Sequence, residues 1–74
     1  MYYIFMFIEH YNAYIINSTT KNVKKVKVKA DTAIIAHKKA MMDTNAISEE
    51  ITKITDSQGV AVYTLKDGFL EPAA

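Results

Sequence analysis

Residues 2–8 read YYIFMFI, an apolar run with no polar interruption. Its length and its aromatic and branched side chains predict a strand. Tyr3, Phe5 and Phe7 fall on one side, and Tyr2, Ile4, Met6 and Ile8 on the other. A strand that is apolar on both sides needs cover on both. One helix supplies half of that, and a partner would supply the rest. The polar EHYN that follows reads as a turn, and residues 13–18, AYIINS, as a second strand antiparallel to the first. TTKN is the next turn, with Asn22 suited to a tight bend.

Residues 22–31, NVKKVKVKAD, alternate most cleanly. Lys25, Lys27 and Lys29 fall on one side and Val26, Val28 and Ala30 on the other, which predicts a half-buried strand over 23–30. Asp31 is a good N-cap. TAIIAHKKAMMD then predicts a helix free of Gly and Pro. At 3.6 residues per turn, Ala33, Ile34, Ala40 and Met41 share the face expected to meet the sheet, with His37 among them. Lys38, Lys39 and Asp43 are expected to point outward. Ile35 and Met42 lie to the side as surplus apolar surface.

AISEEITKIT could form a short helix capped by Ser48, but Ile51, Thr52, Ile54 and Thr55 favour a strand. Strand, turn and strand are expected over 50–66, with the turn at DSQG. Asp67-Gly68 is a further turn, Phe69-Leu70 folds the tail onto the core, and Pro72-Ala73-Ala74 is expected to be loose. The order β-β-β-α-β-β predicts an α+β fold. It would be a small antiparallel sheet of about five strands with one helix packed on one face. Residues 1–74 are expected to form a single small domain.

Composition sharpens this picture. The chain is 74 residues long, 50% hydrophobic and 23% charged, which suits a folded domain rather than a disordered tail. A domain of this size buries only about 60% of its unfolded surface. Cysteine is absent, which excludes disulfides and cysteine-based metal sites as staples. Either the packing is unusually good or a second chain completes the core, and a homodimer is expected. The apolar start is far short of the roughly 20 residues needed to cross a bilayer. It also lacks the pattern of a signal peptide. A cytoplasmic protein without membrane association is expected. The glycosylation pattern at Asn17-Ser18-Thr19 is then a chance match.

Candidate chemistry is sparse. There is no Arg, and the only histidines are His10 and His37. No nucleophile elbow and no Gly-rich phosphate loop is present. Glu49 and Glu50 are adjacent, so on a strand they point apart. Metal sites normally need three or four ligands. No catalytic residue, cofactor or metal is expected, and the protein is not expected to be an enzyme. His37, on the inner face of the helix, is the candidate pH-sensitive group. The blander reading is a partly buried histidine with one hydrogen bond.

Charge is distributed unevenly. Residues 21–39 carry seven lysines against Asp31, a net +6. The rest carries two lysines against seven carboxylates, a net −5. A basic patch draws phosphate chains or an acidic protein surface. It also keeps a sheet face wet and unpaired. Nucleic-acid binders usually use Arg. Single-strand binders set aromatics beside their lysines, whereas here the aromatics cluster in 2–14 and none interrupts 22–31. The expected function is therefore protein docking. The chain would act as a small regulator or inhibitor that binds the acidic surface of a larger protein, with the size of a mobile-element or phage accessory protein. Lys25, Lys27, Lys29, Ile35, Lys38 and Met42 are the candidate partner-binding residues. Weak, sequence-nonspecific nucleic-acid binding through 21–39 ranks second.

Overall fold

The computed structural model describes residues 9–45 and 47–73. The elements are β1 (Glu9–Asn17), β2 (Val23–Ala30), α1 (Ala33–Met42), β3 (Glu49–Thr55), β4 (Ala61–Lys66) and β5 (Phe69–Pro72). The five strands form one antiparallel sheet in the order β2-β1-β3-β4-β5. The α+β class matches the expectation, but the described order is β-β-α-β-β-β, with the fifth strand at the C-terminal end. The strand expected over 2–8 lies outside the described residues.

EHYN is not a turn. It is the first half of β1, the strand flanked by both β2 and β3. Tyr11, Ala13 and Ile15 are buried on the helix side, while His10, Asn12, Tyr14 and Ile16 take the other. The polar residues of EHYN mark a sheet face that no described element covers, and a cluster of polar residues reads as a break. Asn17 closes β1: its Oδ1 accepts from the backbone N–H of Thr19 and Thr20 at 2.9 and 3.0 Å. The left-handed position of this turn is Lys21, at φ 63°, rather than Asn22. Between β1 and β3 the register shifts after Tyr14, leaving Thr52 as the extra residue of a bulge. Its hydroxyl donates to the Tyr14 carbonyl at 3.1 Å.

Helix α1 is capped by Thr32, not Asp31. The Thr32 Oγ1 accepts from the Ile35 N–H at 3.3 Å. Its phase also differs from the expectation. Ala36 and Ala40 are fully buried and Ala33 is partly so, whereas Ile34 and Met41 are 60% and 57% exposed. The core joins these alanines to Tyr11, Ala13, Ile15, Val28, Ala30, Ile51, Ile54 and Tyr63. Val28, Ala30, Ala36 and Ala40 belong to this one buried cluster, so a larger side chain at Ala36 or Ala40 would have to displace packed neighbours.

The β4–β5 connection is a two-residue hairpin. Asp67 at φ 53° and Gly68 at φ 84° give the left-handed pair of a type I′ turn. The tail is not loose through residue 73: Pro72 pairs with Tyr63, and the Ala73 N–H donates to the Val62 carbonyl at 2.9 Å.

Candidate docking surfaces

Two regions gather the residues singled out from the sequence. The first is the sheet face opposite the helix. Alternation along β2 puts Lys25, Lys27 and Lys29 on it, all exposed. The register then sets Lys25 opposite Tyr14, Lys27 opposite Asn12, and Lys29 opposite His10. On the other side of β1, Tyr14 faces Lys53, whose Nζ lies 4.7 Å from the centre of the Tyr14 ring. Further across the same face, Lys66 pairs with Phe69. Among the described residues this face carries five lysines against two carboxylates, Glu50 and Glu71. The aromatics missing from 22–31 are therefore supplied by neighbouring strands. Hairpin register brings Tyr14 to Lys25 and Phe69 to Lys66, and the β1–β3 pairing adds Lys53.

The second region follows the two flanks of α1. On the β2 flank, Lys27, Val28, Lys29, Lys39, Met42 and Asp43 line a shallow groove of about 270 Å³. The Lys39 Nζ donates to the Lys29 carbonyl at 2.7 Å, which satisfies a backbone acceptor on the outer edge of the sheet. Met42 is 84% exposed above this groove. Of the predicted partner-binding residues, the groove brings together Lys27, Lys29 and Met42. Ile35 and Lys38 are exposed on the helix outside it, and Lys25 lies farther along the sheet face.

On the opposite flank, α1 leaves part of β3, β4 and β5 uncovered. A groove of about 290 Å³ lies there, lined by His37, Met41, Ile51, Leu65 and Leu70, with Glu49 at its rim. Met41 and Leu65 are exposed beside it. His37 does not face solvent freely. Its ring stacks on buried Tyr63, with centroids 4.7 Å apart and planes tilted by 31°. This aromatic contact was not legible from the helix pattern, because the partner lies 26 residues away.

Two ionisable groups are shifted by their surroundings. The Glu49 carboxyl is held below its ordinary value, first by the backbone N–H of Asn45 and then by Lys24. Burial raises the Tyr11 hydroxyl above its ordinary value, and the charge of Glu9 adds to this. Among the described residues, no three His, Cys, Asp or Glu side chains meet in a metal-holding group. Also among them, no helix is long and apolar enough to cross a membrane. No family model matches the chain, and no curated protein or solved structure matches it.

Proposed function

We propose that this is a small non-catalytic interaction protein that works by docking, as a regulator or inhibitor of a larger protein. The observation that carries this reading is the inversion of α1, which turns alanines inward and leaves Ile34, Ile35, Met41 and Met42 in water. Large apolar side chains grouped on one element mark interaction surfaces more often than isolated ones do. The β2 flank suits an acidic partner segment. Val28 and Met42 offer apolar contact, and the Lys27, Lys29 and Lys39 ammonium groups outweigh Asp43 at the groove. A cytoplasmic location fits a chain without cysteine.

The opposite flank suits a second copy. Ile34, Met41 and Leu65 form its exposed apolar rim, and pairing through it would complete a core that a chain of this size fills only in part. The homodimer and the acidic partner then use different sides of one helix. A labelled peptide of alternating Asp and Leu tests the β2 flank by fluorescence anisotropy. Lys39→Glu and Met42→Asp should each weaken binding about tenfold or more, while Met41→Lys should leave it unchanged. Equal binding by wild type and both β2-flank variants would contradict the reading.

A further inference from the structure

The sheet face opposite the helix, uncovered among the described residues, is built differently from the helix flanks, and its composition points to another class of ligand. We infer that it binds single-stranded nucleic acid without sequence preference, with Tyr14 and Phe69 as its base-stacking residues. Proteins that hold single strands combine a cationic track for the phosphates with aromatic rings for the bases. Both parts are present here in register. Lys25, Tyr14 and Lys53 form one row across β2, β1 and β3, with Tyr14 between two lysines in register. Lys27 and Lys29 extend the cationic track along β2 at two-residue intervals, roughly 7 Å apart. Lys66 and Phe69 repeat the pairing of cation and ring on the far hairpin.

The Tyr14 ring is already occupied by a cation, and this suggests how binding proceeds. The Lys53 ammonium rests 4.7 Å from the ring centre. A base that stacks on Tyr14 displaces it, and the freed ammonium reaches the phosphate of the same nucleotide. The exchange replaces one cation–π contact with a stacking contact and an ion pair. β1 and β5 are three strand spacings apart, about 14 Å, so only a chain of several nucleotides can reach both rings.

An acidic protein is the competing occupant of a lysine face. It would need a contiguous apolar centre on this face, as at most interfaces. On this face the aliphatic residues Ile16 and Val23 pair with each other at the end of the β1–β2 ladder, beyond the Lys25–Tyr14 row, and the rings of Tyr14 and Phe69 stand apart on β1 and β5. The large exposed apolar side chains of the helix lie on the other side of the sheet. The lack of Arg removes bidentate base readout, so binding without sequence preference follows. This surface shares Lys27 and Lys29 with the β2-flank groove but includes neither Met41 nor Met42, so Met42→Asp and Met41→Lys should leave it intact.

Titration of a labelled twelve-residue oligothymidylate at 50 and 200 mM salt tests the inference, with a twelve-residue polyglutamate as the protein-like control. Wild type should bind the oligonucleotide more tightly than the polyglutamate at 50 mM salt. Replacing Lys25, Lys27 and Lys29 together by Gln should flatten the slope of log affinity against log salt by about two, at about 0.7 per lost phosphate contact. Tyr14→Leu should weaken binding about tenfold with little change in slope, and Tyr14→Phe should retain it. Phe69 is 72% exposed, so Phe69→Ala leaves the fold intact and should also weaken binding. It carries the stacking test if Tyr14→Leu unfolds. No binding up to about 100 µM, equal binding of polyglutamate, or unchanged affinity in Phe69→Ala would each overturn the inference.

Discussion

Lys24 and Glu49 lie on strands that are not neighbours, yet the Lys24 Nζ reaches the Glu49 Oε2 at 2.9 Å. β1 runs between them, so the pair ties β2 to β3 across its end. The other carboxylate oxygen of Glu49 accepts from the Asn45 N–H at 2.9 Å, which fixes the connection from α1 into β3. One carboxylate thus holds both the sheet end and the loop that follows the helix.

Both contacts need the charged carboxylate and hold its folded-state pKa below the ordinary 4.5. The stabilisation is therefore present above about pH 4.5. It is lost as the pH falls through the lowered folded-state value. Thermal melts between pH 7 and pH 2 should show wild type more stable than Glu49→Gln near neutrality. The gap should close at the acid end. A constant gap across that range would show that the charge of Glu49 does not matter.

The helix phase makes a sharper prediction. Ala40→Asp places a charge at a fully buried position against the sheet and should unfold the domain. Met41→Asp falls on an exposed position, and its effect on the stability of the single chain should be within about 0.5 kcal/mol. Ala36→Leu should cost roughly 1–3 kcal/mol by overpacking. Urea denaturation of the three variants checks this. Similar losses in Ala40→Asp and Met41→Asp would refute the phase.

At the β4–β5 turn, Gly68 has φ 84° and no heavy atom within 4 Å of the place a Cβ would take. Gly68→Ala therefore meets no clash and pays only for the left-handed backbone, about 1–2 kcal/mol. A chemical-denaturation midpoint shift of that size is expected. No shift would mean that the hairpin relaxes to another turn.

The sequence pattern was most legible where burial alternates strictly. VKVKA in β2 shows its two faces directly, and the fold class follows from counting such segments. It was less legible in β1, where the polar His10 and Asn12 belong to the sheet face opposite the helix and so read as a break. It misled in α1, because reading amphipathicity assumes that the largest apolar residues turn inward. Here Ala33, Ala36 and Ala40 take the inner face, and Ile34 and Met41 are left outside. The lysines were visible as a charge block. Their aromatic neighbours Tyr14 and Phe69 are set by register across the β1–β2 and β4–β5 hairpins, while the Tyr14–Lys53 pairing needs the non-consecutive β1–β3 contact, which no local pattern encodes.

Sedimentation equilibrium most directly tests whether the apolar residues left outside α1 are there to be covered by another chain. At about 100 µM, well above the dissociation constant of a specific dimer, wild type should sediment at about twice the 8.3 kDa chain mass. Met41→Lys should sediment as a folded monomer, because it charges the rim that a second copy covers. Wild type as a clean monomer at that concentration, or a dimer unaffected by Met41→Lys, would contradict the assignment.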